Sequence, residues 1–218
     1  MTVALEPAGC TESTTDGTVA LFTGADIAAI TEGVLSQGSP GTAVRRVWTD
    51  SRTVRRGDLF VALAGARFDG HRFVAEALRK GAVGALVRHG FKLPGTALLI
   101  AVDEPLRAFQ DLARAHRRRF DIPVVAVSGS NGKTTTKDMI AAILAERFIT
   151  LKTEGNLNNH IGVPQTLLRL TPRHEAAVIE MGISGLGEMA RLCEIAEPTH
   201  GVLTNIGPTH LETLGDVR

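Results

Sequence analysis

The chain has 218 residues, 44% of them hydrophobic and 22% charged, and a formal net charge of +1. That composition fits a globular protein of one large or two ordinary domains and excludes a general polyanion binder. Two distant cysteines, Cys10 and Cys193, exclude a disulfide framework, and no apolar run reaches the roughly 18 residues of a membrane span.

Met1–Val19 is mostly small and polar, without the basic start and apolar core of a signal peptide. A loose tail is expected over residues 1–21, and a reducing, cytoplasmic setting. Gly24–Glu32 reads as a short helix, Gly38–Gly41 as a loop and Val44–Trp48 as a strand. Leu59–Leu63 reads as a buried strand, His71–Lys80 as a helix, and Ala82–Val87 and Ala97–Val102 as further strands. Glu104–Phe120 is the clearest helix, with Leu106, Phe109, Leu112 and Ala113 on one face. The run Arg117-Arg118-Arg119 falls at its end, where cations favour the negative pole of the helix dipole; a nucleic-acid patch is the weaker alternative.

Asp121-Ile122-Pro123 breaks the pattern and marks a domain boundary, dividing 22–121 from 122–218. Val124–Val127 is a strand, Thr134–Arg147 a helix, Ala176–Met181 a strand, Gly187–Ile195 a helix and Gly201–Asn205 a strand. The alternation predicts an α/β fold with mostly parallel sheets.

Val125–Lys137 spells a strand, a glycine turn and a helix start. Gly129 and Gly132 let the backbone curl so that the N–H groups of Gly129, Ser130, Asn131, Gly132 and Lys133 point at phosphate oxygens, backed by the helix dipole. Lys133 would reach the β- and γ-phosphates of ATP, Thr134 would place its hydroxyl on Mg²⁺, and Thr135 is a further phosphate contact. Val127 stands where the longer form of the loop has its first glycine, so this is the shorter variant G-x-x-G-K-T. Such a loop needs a carboxylate near another strand end to organise the metal, and Glu180 fits. His210 follows a strand end in the Asn205–His210 segment, where α/β proteins put ligand contacts. His71, His89, His116, His174 and His200 show no metal-like spacing.

Several blocks then match a known pattern: Thr49-Asp50-Ser51-Arg52, Gly57–Leu63, Phe68–His71, Gly129–Lys137, Gly155–Pro164, Glu180-Met181-Gly182 and Asn205–Glu212. In this order and spacing the chain resembles the Mur ligase family from about Phe22 onward. The Asn-Asn-x-Ile-Gly-Val-Pro stretch, Asn158–Pro164, is similar to that of the member adding a dipeptide, and the Asp-Ser-Arg block speaks against the folate polyglutamating ligases. The resemblance implies an ATP-dependent peptide ligase of peptidoglycan precursor synthesis. It would join D-alanyl-D-alanine to UDP-N-acetylmuramoyl-tripeptide through an acyl phosphate, with small-molecule partners only and a monomeric state. The first domain would hold the UDP end, with Ser51 and Arg52 as contacts and Arg67 a weaker one; Arg52 is a fixed cation suited to pyrophosphate. Asn158 and Asn159 would be substrate-side or metal-side contacts, Lys133 would act on the transferring phosphoryl group, Thr134 and Glu180 would hold one Mg²⁺, and His210 a second.

Family members carry a further metal-site lysine, as a carbamate, and a C-terminal domain, both of which would lie beyond Arg218. The resemblance therefore implies that this chain alone is inactive or nearly so, with an incomplete middle sheet and an exposed edge. A nucleotide or UDP-sugar binding module without turnover, and the sibling ligase adding the third amino acid, are the other readings. A P-loop switch or motor would leave Asn158–Pro164 and Asn205–Glu212 without a role.

Overall fold

The computed structural model describes residues 20–65 and 68–208. The expected tail up to residue 19, and with it Arg67 and His210, lies outside the described residues.

β1 (Phe22–Thr23) leads straight into α1 (Gly24–Thr31). A capping box fixes that start: Asp26 N donates to Thr23 Oγ1 at 3.1 Å, and Thr23 N donates to Asp26 Oδ2 at 2.8 Å. β2 (Val34–Gln37) follows, then β3 (Ala43–Val44) and β4 (Arg46–Trp48). The single strand expected over Val44–Trp48 is thus two. β3 pairs antiparallel with β1 and β4 pairs parallel with β5 (Asp58–Val61), while Arg45 N between them donates to Gly57 O.

β6 (Ala64–Gly65) and β7 (Phe68–Asp69) form a small antiparallel ribbon. The expected helix over His71–Lys80 opens as a 3-10 turn, Gly70–Phe73, with Asp69 accepting from His71 N at 3.0 Å, and continues as α2 (Val74–Arg79). With β8 (Gly84–Arg88) and β9 (Leu98–Val102) the first sheet has the order β2-β9-β8-β5-β4, parallel except for the edge strand β2. Its inner strands are buried on both faces, which is why they read as unbroken apolar runs.

α3 (Pro105–Arg117) connects the sheets. Phe109 and Leu112 pack into the first core, with Leu59, Leu86 and Ile100, while Ala113 packs into the second. Beyond it come β10 (Val124–Ser128), α4 (Lys133–Ala145), β11 (Thr150–Lys152), α5 (Gly162–Leu167), β12 (Ala176–Glu180), α6 (Glu188–Ala196) and β13 (His200–Leu203). The second sheet is entirely parallel, in the order β11-β12-β10-β13. The fold is α/β with mostly parallel sheets, as the alternation predicts. Among the described residues no helix is long and apolar enough to cross a membrane.

The arginine run at the end of α3 is not a uniform solvated feature. Arg118 pairs with Glu197, with Nε donating to Oε1 at 2.7 Å, and Arg119 lies over the Phe22 ring at 4.5 Å. Arg117 is 6% exposed and donates only to backbone carbonyls.

His116, beside it, is 3% exposed between the rings of Phe22 and Phe120, and its Nε2 donates to Leu170 O at 2.9 Å. Nδ1 has no partner, so the proton sits on Nε2. Burial, opposed only partly by the Leu170 carbonyl, holds the imidazole pKa down at about 4. The unfolded chain therefore binds the proton first as pH falls. Stability from this residue is intact above about 6.5 and is lost towards pH 4, by about 3 kcal/mol. Urea unfolding of the wild type and of His116→Phe at pH 7 and pH 4 should show the gap between them moving by that amount against the wild type. An unchanged gap would mean that the ring is not held neutral.

Candidate functional site: the Gly129–Thr135 loop

β10 lies between β12 and β13, so the loop after Ser128 emerges at the carboxyl ends of three parallel strands. The turn uses Gly129 at φ 128° and Gly132 at φ 78°, the latter capping α4. No side chain caps that helix, which leaves its leading N–H groups to an anionic ligand. Lys133 Nζ donates to Gly129 O at 2.7 Å and Ser130 O at 3.2 Å, so the ammonium lies over the loop. Thr134 and Thr135 are exposed on the first turn of α4.

The segment after β13 holds the loop in shape. Ser130 N donates to Asn205 O at 3.1 Å, and Asn131 N to Asn205 Oδ1 at 2.9 Å. Thr204 Oγ1 donates to Asn131 O at 2.6 Å, and Gly207 N to Ser130 Oγ at 2.8 Å. Sequence reasoning singled out the Asn205 segment for His210 and missed this scaffold of Thr204 and Asn205. The scaffold joins the side-chain oxygens of Thr204, Asn205 and Ser130 to backbone groups across the loop, and Ser, Thr and Asn in a loop are ordinary turn residues that do not announce such a role.

Glu180 ends β12 opposite Val127 and is 2% exposed. Its N–H donates to the buried Thr153 hydroxyl at 2.9 Å, and its Oε1 accepts from Asn158 Nδ2 at 2.8 Å. Oε2 is buried with no hydrogen-bond partner. A buried carboxylate oxygen without a donor is costly, and a cation relieves that cost. The residues present therefore fit a divalent ion. Among the described residues no group of three His, Cys, Asp or Glu side chains converges as metal ligands. Mg²⁺ does not require one, because it keeps waters and phosphate oxygens in its shell.

The structure thus brings Gly129–Thr135, Glu180 and Asn158 to one sheet end. Asn158 lies against Gly182, whose N–H donates to Asn158 O at 2.8 Å. The Asn159 Oδ1 accepts from Ile161 N at 3.0 Å and Gly162 N at 2.9 Å at the head of α5. Ser51 and Arg52 lie apart from the loop. They line a cavity of about 630 Å³ together with Phe60, Phe68 and Phe73 from the first half and His160 and Ile161 from the second. Arg52 is 84% exposed there and clasps Asp50, with Nε–Oδ1 2.9 Å and Nη2–Oδ2 2.7 Å, which holds the Asp50 carboxyl below its usual range. Gln165 Nε2 donates to Thr49 Oγ1 at 2.8 Å and ties this turn to α5. A second hollow of about 630 Å³ lies between α1 and α3, away from the loop; Arg107, Arg114 and Arg118 on its wall are engaged in ion pairs.

Residues 127–218 match the model of the Mur ligase middle domain, and 43–117 match that of the Mur ligase family, catalytic domain. The UDP-N-acetylmuramoyl-tripeptide–D-alanyl-D-alanine ligase of Synechocystis sp. is 44% identical over 79% of this chain. The match takes in 38% of that protein, so the chain spans about two-fifths of the length of this curated relative. A crystal structure of MurF from Acinetobacter baumannii superposes with TM-score 0.84 at 36% identity, over 90% of this chain and 43% of that one. A MurF ligase from Thermotoga maritima in complex with ADP gives TM-score 0.70 at 40% identity, over 77% of this chain and 39% of its own.

Proposed function

The chain belongs to the Mur ligase family, and from that premise we propose that it carries the UDP-substrate and ATP-phosphate portions of an ATP-dependent ligase. The ligase joins D-alanyl-D-alanine to UDP-N-acetylmuramoyl-tripeptide. In this reading residues 22–121 hold the nucleotide-sugar and 122–218 the ATP, in a monomeric, cytoplasmic protein. The observation that carries it is the loop Gly129–Thr135, braced on Thr204 and Asn205 beside a buried carboxylate with an unpartnered oxygen.

The tripeptide carboxylate attacks the γ-phosphate, giving an acyl phosphate and ADP; the dipeptide amine then displaces phosphate. No protein nucleophile is required. The chain's work is to align the reactants and to place positive charge where the transferring oxygens gain negative charge. Lys133 swings from the loop carbonyls onto the β- and γ-phosphates, and the uncapped N–H groups of α4 hold the rest of the chain of phosphates. The Thr134 hydroxyl and the Glu180 carboxylate would hold Mg²⁺, which when bound draws charge from the phosphoryl oxygens; His210 is the candidate for a second ion. Asn158 orients Glu180 by its 2.8 Å hydrogen bond. Ser51 and Arg52 take the UDP pyrophosphate, Arg52 exchanging Asp50 for phosphate oxygens, and Asn159 serves the same substrate through the head of α5.

Titration calorimetry of the chain with UDP-N-acetylmuramoyl-tripeptide should give saturable binding, weakened about tenfold by Arg52→Ala, the loss of one charge-assisted contact. Absence of binding by a chain shown to be folded would sink the assignment of residues 22–121.

A further inference from the structure

Lys137 lies one turn along α4 from Lys133 and is 2% exposed, yet phosphate binding gives it no work. Its Nζ is 3.8 Å from Glu180 Oε2 and 3.6 Å from Asp138 Oδ1. Asp138 in turn accepts from Lys152 Nζ at 2.8 Å, so its charge is already shared with an exposed lysine. Among the described residues Lys137 is thus the cation that faces the buried Glu180 carboxylate. At 3.8 Å it attracts Oε2 without hydrogen-bonding to it, so the lone pairs of the buried Oε2 have no donor.

We propose that Lys137 is the resident counter-ion of Glu180. It compensates the buried carboxylate while no divalent ion is bound, and it yields that role when one arrives. The inference rests on Glu180 being a metal-binding residue. Two cations facing one carboxylate repel each other, so Lys137 also sets the affinity for the metal downward. It is a positioning residue: it keeps an ionic cradle folded before loading and lets the metal leave with the spent nucleotide.

The test is the thermal midpoint of the full chain with saturating ADP, with and without excess Mg²⁺, for the wild type, Lys137→Met, Lys137→Arg, Glu180→Gln and the double variant Lys137→Met/Glu180→Gln. Lys137→Met should lower the metal-free midpoint by several degrees, and excess Mg²⁺ should restore most of it at about tenfold lower half-saturating concentration than in the wild type. Lys137→Arg should keep the wild-type dependence on Mg²⁺. The double variant should recover midpoint relative to Lys137→Met, since removing both charges is far milder than stranding one. A Lys137→Met deficit equal with and without Mg²⁺, or a variant that stays unfolded in excess Mg²⁺, would overturn the counter-ion role while leaving Glu180 as a ligand. A Mg²⁺ response identical in the wild type and Glu180→Gln would remove the metal reading itself, and this inference with it.

Discussion

Gly129→Ala is expected to abolish measurable ADP binding while leaving both sheets folded. Gly129 sits at φ 128°, outside the range of a side-chain-bearing residue, and an added Cβ would run into the Thr204 hydroxyl and within 3.0 Å of the Asn205 backbone. Relief requires the loop to leave Thr204 and Asn205, breaking the bonds to Ser130 N, Asn131 N and Asn131 O. Backbone strain of roughly 1–3 kcal/mol and three hydrogen bonds of about 1 kcal/mol each sum to about 4–6 kcal/mol, or about three to four orders of magnitude in affinity. Gly132→Ala is the control. At φ 78° it is near the left-handed region, with no atom within 4 Å of an added Cβ, and costs about one order. ADP calorimetry beside circular dichroism measures both. Equal losses would mean that the loop does not depend on the segment after β13.

That contrast also marks how far the sequence reaches. β5, β8, β9 and β12 are buried on nearly every residue and β10 is buried or half-buried throughout, so all five announce themselves as apolar runs. β2 is missed because its residues alternate exposed and half-buried at a sheet edge, and β11 because it has three residues. α5 reads as a motif rather than a helix, since Gly162 and Pro164 are poor helix formers whose place is set by Asn159 and by packing on α3. The phosphate loop is legible because its chemistry demands glycine, lysine and threonine in order. Lys137 belongs to the same stretch but is indistinguishable by type from a solvated helix lysine. Only burial against Glu180 separates the two. The double duty of α3, packed on α1 from one half and on α5 and α6 from the other, is likewise invisible to a boundary placed between residues 121 and 122.

Arg117 shows what that shared helix demands. Its guanidinium donates to Ala196 O at 3.0 Å, Phe120 O at 2.6 Å, Glu197 O at 3.3 Å and Ile122 O at 3.4 Å. The Ala196 carbonyl is an orphan of the last turn of α6, which ends at Glu197 with φ 40°, and the Phe120 and Ile122 carbonyls belong to the connection entering β10. One cation therefore satisfies the end of α6 and fixes the chain that enters the strand bearing the phosphate loop. Burial lowers the arginine's pKa, and Glu197 and Asp121 oppose that shift. Arg117→Met fills similar volume and leaves these carbonyls without a charged donor. At about 1.5 kcal/mol for each of the two shortest bonds and less for the others, the loss is about 4 kcal/mol. Arg118→Ala, in an exposed pair with Glu197, should cost less than about 1 kcal/mol. Urea unfolding separates the two. A loss below about 1 kcal/mol for Arg117→Met would mean that water replaces the guanidinium at these carbonyls, and that the junction is held by packing of α3 alone.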